Sequence, residues 1–343
     1  MKGKAALNET ERVRKINRMI RYSDRKLKRK YPVLLNQDRI GMAIFLLSAG
    51  LMILTGFAYV QGIIPAFAAV IINAFLASLL HELEHDLIHS LYYKESWQEK
   101  LMMWGVWIFR GNTPSPFYRK KIHLLHHRES GQVTDIEEQM IGNGMQYGWK
   151  RFLVMFDQNL AFLLNAKQVA KTAPELKIKE MVKSAFPVSA AFTFLLHMII
   201  LFNSISYIQS VYYTDYALPG YFGTVLTVLN IAGTAYIFPN VLRQACLQFI
   251  SSNMHYFGDV SRGREGVLEQ TQVLNSWILF PFHLFCFNFG STHAIHHFTV
   301  NQPFYVRQMI SSYAHGAMKK YGVRFNDFGT FRRANRYRLQ ENI

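Results

Sequence analysis

Residues 40–89 read IGMAIFLLSAG LMILTGFAYV QGIIPAFAAV IINAFLASLL HELEHDLIH. From Ile40 to Leu80 no residue carries a charge. That run of 41 residues is about twice the roughly 20 needed to cross the hydrocarbon core of a bilayer. Gln61-Gly62 and Pro65 break it, so it divides into two membrane helices at about 41–60 and 64–89. A second pair follows at Ala185–Ile208 and Tyr221–Phe249. A soluble fold would have to bury two such hairpins, each apolar all round, which a chain of this size does not readily do. The fold class that follows is an all-α integral membrane protein with four transmembrane helices in two hairpins. Interfacial helices and a cytoplasmic helical cap complete it, and the cap carries the histidine-rich segments.

The charge distribution orients this arrangement. The chain has 343 residues, a formal charge of +16 and 13 histidines. Residues 1–39 hold thirteen Lys or Arg against four acids. Every Lys and Arg except Arg243 lies in that segment, in the loop 90–184, or after residue 255. By the positive-inside rule both termini and the middle loop are expected on the cytoplasmic side, most simply of a bacterial inner membrane. The basic balance therefore requires no nucleic acid. Residues 1–39 read as a basic segment lying on the membrane, 40–310 as the membrane domain and 311–343 as a basic tail. Leu101–Phe109 and Val273–Phe289 are too short or too interrupted to span, and read as interfacial pieces. Two cysteines, Cys246 and Cys286, exclude a disulfide scaffold or a cysteine-rich zinc module.

Ten histidines are concentrated. His81, His85 and His89 recur every four residues at the end of the second span, and His123-Leu-Leu-His126-His127 and His293-Ala-Ile-His296-His297 follow. His255 stands near the end of the fourth span. Residues four apart share a helix face, and an HxxHH cluster can turn its rings toward one metal or two neighbouring ones. Imidazole suits several transition metals, but a single zinc saturates with four ligands. About nine candidate rings fit two ions, and iron is the metal that activates oxygen. His81-Glu-Leu-Glu-His85 also satisfies the HExxH pattern of a zinc protease; the two HxxHH clusters count against that alternative. His197, His283 and His315 read as ordinary structural histidines.

His85-Asp-Leu-Ile-His89 together with the two HxxHH clusters resembles the three histidine boxes of the membrane-bound fatty-acid desaturase superfamily. The superfamily includes acyl desaturases, alkane hydroxylases, carotenoid ketolases and decarboxylases that form terminal alkenes. The resemblance covers roughly residues 40–310. The run HELEHDLIHS is most similar to the alkene-forming decarboxylases, while His81-Glu-Leu-Glu-His85 also resembles the first box of the alkane hydroxylases. The resemblance implies two iron ions and O2 as co-substrate. It implies His85, His89, His123, His126, His127, His293, His296 and His297 as ligands, with His255 supplying the one expected near the end of the fourth helix. The register of the first box stays open between 81/85 and 85/89, so His81 is retained as a candidate. Some acyl desaturases place an asparagine four residues before the fourth-helix histidine; here that residue is Ser251.

Ligating imidazoles usually pass their other N–H to an acceptor, and Glu82, Glu84, Asp86 and Asp259 lie within a turn of a candidate ligand. Asp135, Glu137 and Glu138 read as a solvated charge run. If the substrate is a free fatty acid, Arg119, Lys120, Lys121 and Arg128 are candidates for its carboxylate, although they equally serve the positive-inside rule. Tyr256, Phe257 and Trp277 read as packing aromatics. No flavin, haem or iron–sulfur motif is present. A fatty-acid or fatty-acyl substrate, membrane lipid and a separate electron donor such as ferredoxin with its reductase are the expected partners.

Overall fold

A computed structural model describes residues 7–333 apart from 131–134, 138–144, 146, 158, 162–163, 165–170, 172–176, 215–216 and 256–265. Among the described residues the secondary structure is helical, with one isolated bridge between Val273 and Phe325. Four helices are long and apolar enough to cross a membrane: α2 (Gln37–Val60), α3 (Ala66–Ile88), α6 (Val188–Tyr212) and α7 (Gly220–Met254). The remaining principal helices are α1 (Glu9–Lys30), α4 (Trp97–Arg110), α5 (Pro116–Glu129), α8 (Phe289–Phe298) and α9 (Phe304–Lys320). The sequence placed the four spans within a few residues of these limits.

Local chemistry explains the hairpins. Gly62 takes the left-handed conformation (φ 71°) just past the end of α2. The Ile63 and Gly62 amides then donate back to the Ala58 and Tyr59 carbonyls, which closes the helix. Pro65 follows and caps α3. The outward faces of the spans are apolar, with Leu47, Ile53, Phe57, Phe194 and Ile200 all exposed, as a lipid-facing surface requires. α3 is the central span: 56% of its most apolar window is buried, against 22% for α6. It packs on α2, α4 and α7 through Phe45, Leu80, Leu83, Leu87 and Val106.

α7 contains a single π turn at Gly233–Ile237. Such a turn loosens the hydrogen-bond ladder, and Asn73 from α3 donates to the Ala235 carbonyl at 2.8 Å. The π turn is thus satisfied by its neighbour rather than by water.

The cap over the spans is formed by α1, α5, α8 and α9. α1 begins in a capping box between Asn8 and Glu11. Its apolar face does not lie against lipid: Ile16 and Ile20 are fully buried and pack with Ile250, Ile295 and Met318. An amphipathic pattern identifies an apolar face but not what covers it. The boundary placed at 310 falls inside α9, and the Val273 amide donates to Arg324 O (3.0 Å), so the start of the tail is stitched into the cap. Residues 273–289 form a 3-10 turn and the short helix Phe280–Phe285, in which Trp277 is exposed (84%) rather than packed. His283 and His315 are buried, whereas His197 is exposed on a lipid-side helix.

Candidate metal centre

Box one ends α3, box two occupies the last turns of α5 and box three fills α8. These three helices, with His255 from the end of α7, bring nine imidazoles into two groups, within each of which the candidate ligand nitrogens lie no more than 4.8 Å apart. The first group is His85, His89, His123, His127 and His296; the second is His126, His255, His293 and His297. The HxxHH spacing sorts its rings between the groups. His123 and His127, four apart, join the first group while His126 joins the second. In α8 the assignment is inverted, with His293 and His297 in the second group and His296 in the first. Residues four apart share a face; the residue between them on the helical wheel looks elsewhere.

His81 lies in neither group. It is buried, its ring stands 5.6 Å from that of Phe289, and neither of its nitrogens finds a hydrogen-bond partner among the described residues.

Within the groups, Nε2 atoms face one another closely. His89 Nε2 is 3.0 Å from His123 Nε2, 3.1 Å from His127 Nε2 and 2.9 Å from His296 Nε2. His293 and His297 approach at 3.1 Å. Carboxylates sit behind two of the rings: Glu137 at 2.7 Å from His123 Nδ1 and Asp135 at 2.7 Å from His126 Nδ1. Each acceptor draws the ring proton to Nδ1 and turns an Nε2 lone pair inward. Several lone pairs converging at about 3 Å repel one another unless a cation lies among them. The donor set therefore fits two metal ions that accept imidazole nitrogen.

Electrostatics agrees. Burial, then the neighbouring His123 ring, lowers the His89 pKa to about 2. Burial and adjacent imidazoles likewise lower His293, His296 and His297 well below the usual histidine range. Burial thus favours the neutral ring, the form in which imidazole binds a metal. Burial pushes the Glu137 carboxyl up, but the His123 ring and Arg119 outweigh it and hold the group well below the usual carboxylate range.

Asp135 and Glu137 are thus not a solvated run: Asp135 is fully buried and Glu137 is shielded against Arg119 and His123. Their place beside box two was invisible to a reading that followed helix periodicity alone, because both lie beyond the end of α5. The acids of box one have other partners. Glu84 accepts from Arg119 Nη1 (2.8 Å) and contacts Arg110. Asp86 accepts from the Tyr92 hydroxyl (2.9 Å) and the Phe304 amide (2.7 Å), and pairs with Arg307 (3.1 Å). Glu82 lies 3.4 Å from Arg307, whose Nη1 stands 3.2 Å from His296 Nδ1. The acids of box one are offset along α3 from the histidine stripe, so they meet arginines from α4, α5 and α9 instead of its rings. Asp259, Glu138, Tyr256 and Phe257 lie outside the described residues.

Of the four proposed carboxylate partners, Arg119 is buried at the site. Lys120 donates to Ser90 Oγ at 2.6 Å, while Lys121 and Arg128 are exposed beside Glu180 and Glu129. Sequence reading had not singled out Arg110 or Arg307, which are buried in the same layer. Their signal was only a charge bordering an apolar stretch. Arg243, deep in α7, donates to Asn112 Oδ1 (2.6 Å) and Gln244 Oε1 (3.0 Å). A cavity of ≈ 60 Å³ opens between Arg110, Arg119 and rings of both histidine groups.

Fold and site together define an integral membrane helical protein with paired histidine clusters at one end of its spans. The chain belongs to the fatty acid desaturase family, which it matches over residues 61–329. No curated protein and no solved structure matches the chain. Membership makes it an oxygen-dependent membrane oxidoreductase of fatty-acyl chains and sets aside the zinc-protease alternative.

Proposed function

We propose that the two histidine groups hold a di-iron centre and that the enzyme oxidises a fatty chain at an unactivated C–H bond. The observation that carries this reading is the gathering of imidazole nitrogens in two separate groups, with Asp135 and Glu137 fixing rings from behind. His85, His89, His123, His127 and His296 would hold one ion; His126, His255, His293 and His297 the other. Iron bound there supplies the means to reduce dioxygen and oxidise the substrate carbon. Glu137 and Asp135 keep ring protons on Nδ1, and Arg307 ties box one to box three. The lipid-embedded spans deliver the chain and exclude water from its path.

Desaturation and decarboxylation have the same electron balance. Each removes two electrons and two protons, or two electrons, one proton and carbon dioxide, from the chain. Each also consumes one O2 with two further electrons from a separate donor, a ferredoxin-like protein, and releases two waters. Similarity of the HELEHDLIHS run to the alkene-forming enzymes favours decarboxylation of a free acid to a terminal alkene. Hydroxylation is the alternative branch. The distribution of Lys and Arg supports placing both termini and the histidines on the cytoplasmic side of a bacterial inner membrane.

Metal analysis of the purified chain is expected to give two irons; one zinc and no iron would sink the reading. Incubation with saturated fatty acids, O2 and an electron-donor system then identifies the branch. An alkene one carbon shorter is expected, and an unsaturated or hydroxy acid would replace the decarboxylation assignment.

A further inference from the structure

We infer that the cavity beside the histidine groups is a built site for a free carboxylate, the head group of an unesterified fatty acid, formed by Thr113, Gln248, His81 and Arg110. The inference rests on the reading of the protein as a fatty-chain oxidase and names the form of substrate it takes.

Four residues from three elements line this cavity with unused polar atoms. Thr113 Oγ1, both polar side-chain atoms of Gln248, both ring nitrogens of His81 and Arg110 Nε are buried and make no hydrogen bond among the described residues. The four residues are between 1% and 3% exposed. Leaving one such group without a partner costs about 1–3 kcal/mol, and native proteins seldom tolerate several together. Convergence of that many unused groups on one small space marks a place where a polar group belongs.

Their chemistry selects the group. The threonine hydroxyl, the glutamine amide, the imidazole and the arginine Nε all belong to residues lining the one cavity, and each can donate an N–H or O–H. A carboxylate only accepts hydrogen bonds, and its two oxygens offer about four acceptor positions. Arg110 and Arg119 line the wall beside Glu137, and both also meet Glu84, so these charges balance. Behind them Arg243 meets only the amide oxygens of Asn112 and Gln244 among the described residues. A neutral ester or thioester carbonyl accepts fewer bonds and brings no charge to answer the guanidinium of Arg243 behind the wall. The size agrees: at roughly 10–15 Å³ per water-sized group, ≈ 60 Å³ takes a carboxylate and its first carbons. Leu247 and Phe289 continue the lining in apolar form, suited to the start of an alkyl chain.

Position gives the site its consequence. His85 and His123 of the first group and His126 and His293 of the second line the same cavity. A head group seated there holds the second and third carbons of the chain beside the candidate metals. An enzyme acting in mid-chain would need its head group many bonds away.

The test is equilibrium binding of dodecanoic acid, methyl dodecanoate and 1-dodecanol to the full chain in nanodiscs. The wild type is compared with Thr113→Val, Gln248→Leu and Gln248→Glu. The acid should bind about 10-fold or more tighter than the ester or the alcohol, the scale of one or two hydrogen bonds to a charged group. Thr113→Val and Gln248→Leu should remove most of that preference, and Gln248→Glu should repel the acid, with ester affinity retained in all three. Retained ester affinity also shows that the variants fold. Equal binding of acid and ester by the wild type, equal losses for all ligands, or no binding of any of them would overturn the inference. His81→Leu should lose acid preference with metal content unchanged; loss of metal would remove His81 from the site. Acid-selective binding without alkene formation leaves the carboxylate site standing and strikes only the decarboxylation branch.

Discussion

The two histidine groups lie side by side but are built differently. The first takes five rings from all three boxes, and His89 and His127 in it are only half-buried. The second takes four rings, all buried, none from box one, and owes His255 to the end of α7. One group is therefore tied to α3 and faces outward; the other is tied to α7 and sealed within the cap. The difference shows that each HxxHH cluster couples the groups rather than serving one. His126 leaves its neighbours for the second group, and His296 leaves its own for the first.

The sharpest way to break this comparison is to remove one ring from each group. His127→Ala and His297→Ala should each abolish activity and each lower iron from two toward one per chain, measured by elemental analysis. If either variant lost both irons, the groups would be a single site. A smaller effect is expected behind the rings. Glu137→Gln should weaken the first group through His123, and Asp135→Asn the second through His126. Each should cost about 10–100-fold in metal affinity or turnover, read by metal titration, and both variants weakening the same group would contradict the division. The smallest effect concerns the support of box one. Tyr92→Phe removes a buried hydroxyl from Asp86 and should lower stability by about 1 kcal/mol, seen as a reduced thermal midpoint with iron content unchanged.

How much of this was legible in the sequence depended on whether the signal was periodic. The spans were legible because charge is excluded from Ile40 to Leu80, and the box histidines because spacings of three and four place rings on a helix face. The division of each HxxHH cluster was not, since the same spacing permits one ion or two. Neither were Asp135 and Glu137, which follow α5 in sequence with no helical spacing to tie them to His126 and His123. Arg110 and Arg307 escaped because a cation next to an apolar run is equally well explained by lipid headgroups. The spacing of box one left 81/85 and 85/89 open; in the fold His85 and His89 join the first group, while His81 lines the cavity.

The π turn in α7 has a bearing on a residue far along the chain. One additional residue at Gly233–Ile237 advances the phase of everything downstream by about 100°, the rotation of a single helical step. The first part of α7 can therefore present Leu229 to α6, while the later part aims Asn240 and Arg243 at the end of α4. His255 inherits that phase at the far end of the same rigid rod. The bearing of a ring in the sealed group is set some eighteen residues upstream, by a turn that Asn73 of α3 holds in place.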